Sequence, residues 1–485
     1  MSGRFISCLL FMVLKFSVLH PAVSQPATIQ ASVEVNRILS LVRYVEVVAG
    51  GKGYRGVRQQ FEQSAFNTPA AQAAIRRYQQ LPREVDFQWP DYPADRLGSS
   101  GSSWNLFIKC AADAKDLPDL QQRAVGLMPN QTLVELSQVY QALSPAFEEL
   151  LWYPYQTQLT QEREAYQAYL DRKQLLKHFT RLRTFYGSSW PNEVPYRIML
   201  SPLPGPATTF TNSATVASNI VLLDCHPAST DFVSGSTVMF HEMSHSLSMQ
   251  QRQELQQQME RWYQHSGSPA WRYAYSLMEE GLATAAGEWI YKQQAGQTES
   301  GEWYHDDYID RYAKAIYPQV ESYIANGRTI DSVFVRQVVA TFDATFPYAA
   351  TEYVNLFRKA LYWTDTDPAA PVLQPFRDAF RSTYTLTSTP ILNKDKTLAT
   401  AKEGVYLPII IITQEHAATL RYLQKNWPSL SKQRLRPEQD FVLSLTSTTG
   451  PLILINVHDR AKLSAAAQYL KKQKVIQPKQ PLWVM

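Results

Sequence analysis

Hydrophobic residues in the first part of the chain mostly recur at the three- and four-residue spacing of amphipathic helices. Glycine- and serine-rich breaks, such as Gly50-Gly51-Lys52-Gly53, separate these segments. The pattern therefore predicts a helical N-terminal region over residues 25–186, with helices at residues 28–48, 69–81, 130–151 and 161–186.

The pattern changes at residue 187, where Gly, Ser and Pro become frequent and short extended runs appear. Apolar residues then return to helical spacing and keep it, for the most part, up to residue 383. Residues 187–384 are thus predicted to form a mainly helical unit with a small sheet, whose strands lie at residues 196–200, 208–211 and 219–223.

A polar stretch at residues 385–404 is interpreted as a linker to a C-terminal α/β domain, residues 405–485. The periodicity of this domain alternates between strand and helix in the order βαββαβ, which is typical of ferredoxin-like domains. His416 and His458 within it are interpreted as isolated residues, each a surface or core histidine with its hydrogen bonds satisfied. The predicted fold class of the whole chain is α+β, and the C-terminal elements are placed at residues 407–413, 414–426, 441–446, 452–457, 460–472 and 482–484.

The first residues have the pattern of a targeting segment. Arg4 precedes a mostly apolar run that Lys15 interrupts, and Ala22-Val23-Ser24 fits the small-residue pattern of a cleavage site before Gln25. Because a membrane helix needs about 20 apolar residues, this run is too short to anchor the chain stably in a membrane. Residues 1–24 are therefore predicted to be a cleaved signal peptide, and the protein is expected to be secreted or periplasmic.

The net charge limits the kind of partner that the chain can bind, and the cysteine content limits its possible disulfides. The net charge of +4 on 485 residues is small, and acidic and basic residues are interspersed, which argues against a nucleic acid partner. Removal of the signal peptide leaves Cys110 and Cys225 in a compartment where disulfides persist. These two residues could form one disulfide or remain separate buried thiols, and the sequence does not choose between the alternatives.

The segment His241-Glu242-Met243-Ser244-His245 has the HExxH pattern of zinc hydrolases. Two histidines four residues apart share a helix face and can bind one ion, whereas Glu242, rotated by about 100°, reaches toward the open coordination position. His241 and His245 are therefore the predicted ligands of one Zn²⁺ per chain, and Glu242 is the predicted general base.

A catalytic zinc site uses three protein ligands and keeps a fourth position for water or substrate. Glu279 and Glu280 lie in a second helical run, in which Gly281 and Ala283 would allow close approach to the first helix. The alternative interpretation of this segment is a solvated pair of acids at the start of an alanine-rich helix.

HExxH followed by Glu280-Gly281-Leu282-Ala283 resembles the gluzincin clan of zinc metallopeptidases, over the middle part of the chain. The Glu-Gly-x-Ala form is similar to the aminopeptidase N branch, and this similarity implies that Glu280 is the third zinc ligand. The resemblance also implies a zincin-like unit that hydrolyses peptide bonds in peptide or protein substrates. The strand at residues 219–224, just ahead of the HExxH helix, is the expected sheet edge for an extended peptide.

The chain departs from both branches of the clan. The spacer between His245 and Glu280 is longer than in the aminopeptidase N branch, and the Gly-x-Met-Glu-Asn segment that holds a free amino terminus there does not occur upstream of His241. The thermolysin branch has an aspartate four residues after its third ligand, where this chain has Thr284. Neither aminopeptidase specificity nor the histidine-orienting aspartate is therefore implied.

Gluzincins usually have a Tyr or His beyond the third ligand that stabilises the oxyanion. The resemblance makes five residues eligible for this role, and spacing does not select among them: Tyr304, His305, Tyr308, Tyr348 and Tyr353. Two other classes of function stay open, namely a secreted binding protein that retains a non-catalytic metal site, and an adaptor protein whose activity lies in the N-terminal or C-terminal region.

Overall fold

The computed structural model describes residues 29–51, 55–93, 96, 98, 100–203, 212–226, 231–357, 360–365, 407–447, 450–459, 461–476 and 482–485. Within these residues the fold is α+β, as predicted, and helices predominate. The predicted signal peptide and linker, residues 1–24 and 385–404, lie outside the described residues.

The N-terminal elements are mostly helices, several of which begin at a capping side chain. Asn36 Oδ1 accepts hydrogen bonds from Ile38 N and Leu39 N at the start of α1, and Thr68 caps α3. The elements are β1 (Ala31–Glu34), α1 (Arg37–Val48), α2 (Arg55–Glu62), α3 (Pro69–Gln80), β2 (Asp86–Gln88), β3 (Ser100–Ser102), α4 (Ser103–Asp113), α5 (Leu117–Arg123), α6 (Asn130–Phe147), a π-helical turn (Glu148–Trp152), α7 (Tyr153–Lys173) and α8 (Leu176–Tyr186).

Two of the predicted helices differ from the structure. The helix predicted over residues 28–48 begins only at Arg37, because the residues before it form β1, which pairs in parallel with β4 (Tyr196–Pro202). The helix predicted over residues 161–186 is divided at Gln174, whose φ of 50° ends α7 in the left-handed conformation. Strand pairing and a left-handed turn thus override the helical periodicity at these two places.

The central sheet has the strand order β1-β4-β6-β5, with β5 at Ser213–Ala217 and β6 at Ile220–Cys225. β1, β4 and β6 are parallel, and β5 runs antiparallel to β6 at one edge of the sheet. The prediction that the strand at residues 219–224 forms the edge is therefore wrong, because β5 pairs with its outer side. The strand predicted at residues 208–211 lies outside the described residues.

Several described helices follow the central sheet, and two of them cross at a glycine. An added Cβ at Gly287 would lie 3.0 Å from Thr237 O and 3.5 Å from His241 Cβ, so the glycine lets the two helices approach closely without a tight contact at this point. The helices are α9 (Phe232–Met249), α10 (Gln253–Gln264), α11 (Trp271–Ala295), α12 (Asp307–Ala325), α13 (Ser332–Thr345) and α14 (Tyr353–Leu356).

The central sheet buries apolar side chains on both faces. Ile198 and Val221 pack into a core with α7, α8, α9 and α11. Their neighbours Met199 and Ile220 point to the opposite face and pack against the N-terminal helices. The predicted N-terminal region and the predicted metal-binding unit therefore share one sheet.

The C-terminal sheet has the strand order β11-β9-β10-β8-β7. The predicted order βαββαβ is present in residues 407–484, but the strand β7, which precedes the predicted linker, also joins this sheet, and β11 pairs with β9. The elements are β7 (Ala360–Thr364), β8 (Leu407–Ile412), α15 (His416–Asn426), α16 (Pro428–Ser431), β9 (Phe441–Ser447), β10 (Gly450–Asn456), α17 (Lys462–Lys472) and β11 (Leu482–Val484).

The prediction that His416 and His458 are isolated is wrong. Their rings stack with centroids 3.9 Å apart. His416 Nδ1 lies 2.8 Å from Asn456 Oδ1, and His458 Nδ1 lies 2.7 Å from Asp440 Oδ1. Both rings are thus held in a polar network at the surface of the C-terminal sheet.

The two cysteines of the predicted mature chain are unpaired. Cys110 Sγ lies 3.5 Å from Arg123 O, and Cys225 Sγ lies 3.5 Å from Ser201 O, so each thiol has its own local contact. The disulfide alternative is therefore wrong, and the alternative of two separate thiols describes the structure.

None of the helices in the described residues combines the length and apolar content that crossing a membrane requires.

Candidate metal centre

The helix α9 places the two predicted histidine ligands side by side. It starts at Asp231, whose side chain accepts a hydrogen bond from Ser234 N, and Met239, Phe240 and Met243 bury one of its faces. His241 and His245 lie one turn apart on the neighbouring face, with ring centroids 4.8 Å apart. Their Nε2 atoms are separated by 3.1 Å.

The helix α11 brings Glu280 to the same point. Glu280 Oε2 lies 3.4 Å from His241 Nε2 and 3.6 Å from His245 Nε2. A tetrahedral zinc ion with ligand bonds of about 2.0–2.1 Å requires ligand atoms about 3.3 Å apart. The three donor atoms therefore fit one zinc ion, with the fourth position left for a water or a substrate.

The charge of Glu280 and the hydrogen-bonding state of these side chains also suit a bound cation. Glu280 Oε2 and His245 Nδ1 are buried and have no hydrogen-bond partner in the described structure. Burial alone would raise the pKa of Glu280, but the adjacent His241 and His245 outweigh it and hold this pKa well below its usual range. A carboxylate kept ionised beside two imidazoles is the ligand set that a divalent ion needs.

Glu242 lies beside this centre and lines the same cavity as His241. Burial raises the pKa of the Glu242 carboxyl, and the neighbouring Glu280 adds to the increase. The Val216 backbone N–H, on the edge strand β5, hydrogen-bonds to Glu242. A buried carboxylate with a raised pKa is a stronger proton acceptor than a solvent-exposed one, as the role of general base requires.

The two adjacent acids of α11 have different environments. Glu279 turns away from His241 and His245, and its carboxylate pairs with the Arg96 guanidinium at 3.1 Å and accepts a hydrogen bond from Ser248 Oγ at 2.6 Å. The side chains of Arg96 and Glu279 are only 1% and 11% exposed. Of the two acids, Glu280 is thus the one that the structure brings to the histidines.

Of the five residues that are eligible to stabilise an oxyanion, the structure brings two close to His241 and places three elsewhere. The Tyr304 ring stacks on His241 with centroids 5.8 Å apart, its hydroxyl hydrogen-bonds to Glu280, and His305 stacks on Tyr304 at 4.4 Å. The other three lie elsewhere: Tyr308 stacks on Phe346, Tyr348 is 67% exposed, and the Tyr353 hydroxyl contacts Ser444 Oγ in the C-terminal sheet.

A cavity of about 710 Å³ opens beside the candidate metal centre, and His241 and Glu242 form part of its lining. Its walls are the start of α9, the edge strand β5, one face of α11 and the segment that joins α11 to α12. Four carboxylates line it in addition to Glu242: Asp231, Glu288, Glu299 and Glu302. None of these four was predicted, although Glu280, Thr284 and Glu288 recur every four residues, which places them on one face of α11.

Comparison of the chain with protein-family models, with curated proteins and with solved structures gave no match.

Proposed function

We propose that this chain is a secreted zinc-dependent metallopeptidase, with one Zn²⁺ bound by His241, His245 and Glu280. The observation that carries the proposal is the convergence of these three donor atoms within 4.8 Å of one another, beside the Glu242 carboxylate. Two imidazoles and a carboxylate with an adjacent general base are the groups that hydrolysis of an unactivated amide requires.

A Zn²⁺ held by His241, His245 and Glu280 would supply Lewis acidity to a water or carbonyl oxygen beside Glu242. Glu242 accepts the proton of the attacking water and delivers it to the leaving amine, and burial, which raises its pKa, supports both roles. The Val216 N–H holds this carboxylate in place. Deprotonation and reprotonation are thus assigned to one side chain.

The edge strand β5 supports binding of an extended peptide. One side of β5 pairs with β6, and no described strand pairs with its other side, next to Glu242. Asn212, Ser213 and Ala214, at the start of β5, line the cavity. A peptide or protein substrate would add to this edge as a further strand, which would lay its backbone across the metal centre.

Tyr304 is assigned as the oxyanion-stabilising residue. Burial and the nearby Glu280 raise the pKa of its hydroxyl well above the usual value, so the phenol stays protonated and can donate a hydrogen bond. The helices α9 and α11 beside a small sheet with an antiparallel edge strand are also consistent with the zincin-like unit that the resemblance implies. The ferredoxin-like prediction for the C-terminal domain is not carried into this proposal, because a ferredoxin-like sheet pairs its fourth strand with its first, whereas here β11 pairs with β9 and β7 lies beside β8.

Hydrolysis of an unfolded protein tests this function. The zinc-loaded chain should cleave denatured casein, and Glu242→Gln should retain zinc while losing at least about 100-fold in rate. Exposed Glu254, on α10, provides a matched control, and Glu254→Gln should cleave casein at the wild-type rate. Zinc binding without cleavage by the wild-type chain would instead support the alternative of a binding protein with a non-catalytic metal site.

A further inference from the structure

The cavity extends away from the metal centre along α11. The helices α9 and α11 run antiparallel, since Glu279 contacts Ser248 and Gly287 contacts Thr237. Glu288 is two helical turns beyond Glu280, which corresponds to about 12 Å along the helix axis. Glu288 therefore lines the same cavity as His241 but lies about two helical turns from Glu280 along α11.

Four carboxylates line this distal part of the cavity, and we call them the acidic wall: Asp231, Glu288, Glu299 and Glu302. Glu288 is buried, whereas the other three are exposed at the mouth of the cavity. Among the described residues that line the cavity there is no Lys or Arg. The Lys314 ammonium lowers the pKa of both Glu288 and Glu299, but it is paired with Asp310 at 2.8 Å.

The Glu288 side chain is only 2% exposed, although it faces the cavity. Its Oε1 atom accepts a hydrogen bond from Glu299 N at 2.6 Å, but its described contacts include no cation within ion-pair distance. Burial raises the pKa of Glu288 to about 7, and the Glu299 carboxylate adds to this effect. A cationic ligand would stabilise this buried carboxylate, which is costly to keep ionised without one.

Thr284 provides an independent indication that a ligand binds here. It lies between Glu280 and Glu288 on the same face of α11 and lines the cavity. The residue is 4% exposed, and its hydroxyl has no hydrogen-bond partner in the described structure. A buried hydroxyl without a partner costs free energy, and a polar group of a ligand in the cavity would satisfy it.

A second metal ion does not account for the acidic wall. Within the described residues, the one group of three side chains whose ligand atoms converge is that of His241, His245 and Glu280. Carboxylates spread along a wall suit an extended cation with several donors instead. A guanidinium has five N–H donors in a planar arrangement, and an ammonium on a flexible stem can also reach such a wall.

We propose that the acidic wall binds a basic side chain of the substrate, so that the metallopeptidase prefers peptides with Arg or Lys near the scissile bond. This proposal rests on the proposed function, because it places the substrate in the same cavity. Glu288 is the specificity-determining residue, and the exposed carboxylates at the mouth attract the basic group from solvent.

Equilibrium binding tests the acidic wall without hydrolysis. The probes are capped alanine peptides that carry one Arg, or the uncharged isostere citrulline, at each position in turn. Their affinities for zinc-loaded Glu242→Gln chain are measured by calorimetry. At one or more positions the Arg peptide should bind about 10- to 100-fold more tightly than the citrulline peptide. Adding Glu288→Gln should remove most of this preference while the zinc content stays unchanged.

Two further variants complete the design. Glu299→Gln leaves the backbone N–H that contacts Glu288 and should reduce the Arg preference to a smaller extent, since Glu299 is exposed. Glu254→Gln, on α10, removes an exposed carboxylate outside the cavity and should leave the preference unchanged. Equal binding of Arg and citrulline peptides, no binding of either, or an Arg preference that survives Glu288→Gln would each overturn the acidic wall proposal.

Cleavage data separate this proposal from the proposed function. Casein cleavage by the wild-type chain, combined with equal binding of Arg and citrulline peptides, would retain the peptidase and reject the acidic wall. A Glu288-dependent Arg preference without any cleavage would retain the acidic wall as a binding site and reject the peptidase.

Discussion

Glu279 and Glu280 are consecutive on α11, yet their carboxylates serve different partners. Glu280 Oε2 lies 3.4 Å from His241 Nε2, whereas Glu279 Oε1 lies 3.1 Å from the Arg96 guanidinium. Successive residues on a helix are separated by about 100°, so one can face the histidines only if the other turns away. The contact with the histidines and the ion pair with Arg96 are therefore divided between two residues of the same type.

We expect Glu280→Gln to lose zinc under a weak chelator, because it removes the anionic ligand. Glu279→Gln should keep zinc but lower the free energy of unfolding, by up to about 3–5 kcal/mol, since the buried Arg96 would lose its ion pair with the Glu279 carboxylate. Zinc per chain and urea unfolding measure the two effects. Loss of zinc from the Glu279 variant, with retention in the Glu280 variant, would reverse the assignment.

Gly287→Ala should destabilise the protein and weaken zinc binding. The added methyl would lie 3.0 Å from Thr237 O, so α9 or α11 must shift by a few tenths of an ångström, and we expect this cost of about 1–3 kcal/mol to exceed the gain of about 1 kcal/mol that alanine brings to the interior of α11. Gly235→Ala is the matched control, because its methyl would meet Tyr166 Oη at 3.7 Å, an ordinary contact, and alanine favours the helix. Chemical unfolding with and without zinc compares the free energies of unfolding of the two variants. Equal values for Gly287→Ala and Gly235→Ala would contradict this prediction.

Tyr304→Phe should lower kcat by about 10²–10³-fold while KM and zinc content change little, because the lost hydroxyl is assigned to the oxyanion. Tyr308→Phe is the control, since the Tyr308 ring packs against Phe346 away from the cavity lining. Steady-state kinetics on a peptide substrate measure the effect. A Tyr304 variant with wild-type kcat would transfer the role to another residue, with His305 the next to test.

The free energy of unfolding should fall as pH rises from about 4.5 to about 7, in part because of Glu162. Burial raises the pKa of this carboxyl from 4.5 to about 7 in the folded chain. The folded state therefore keeps a proton that the unfolded state has already released, and ionisation at higher pH removes this stabilisation.

Glu162→Gln, which stays neutral at every pH, should reduce the difference between the Tm values at about pH 5 and about pH 8. The corresponding free energy is at most about 3 kcal/mol. Glu164→Gln provides the control, because Glu164 is exposed and contacts Arg163 at 2.8 Å. An unchanged pH dependence in the Glu162 variant would show that this carboxyl is ionised in the folded protein.

The sequence predicts those parts of the site that depend on local spacing. The positions of His241, Glu242 and His245 follow from one helical turn. The Arg96 contact with Glu279 joins parts of the chain far apart in sequence, and no local pattern reports it. Thr284 and Glu288 could be predicted only in part. Their spacing from Glu280 places them on one helix face, but the sequence does not show that this face lines a cavity.

The fold shows the same division between local and distant interactions. Helices with clear periodicity and caps, such as α3 at Pro69–Gln80, have nearly the predicted limits. The strands β1 and β7 were not predicted, because each is stabilised by pairing with a strand that is distant in sequence. The edge position of β5 likewise depends on which strand pairs with β6, and this information is absent from the periodicity of either segment.

The pairing of β1 with β4 sets an order of events during synthesis. Ala31 to Glu34 emerge early, but their partners, Tyr196 to Met199, emerge only after the intervening helices have been made. During synthesis β1 therefore stays unpaired while those helices form. His241, His245 and Glu280 are synthesised after β4. The convergence of these three side chains is consequently a late step of folding.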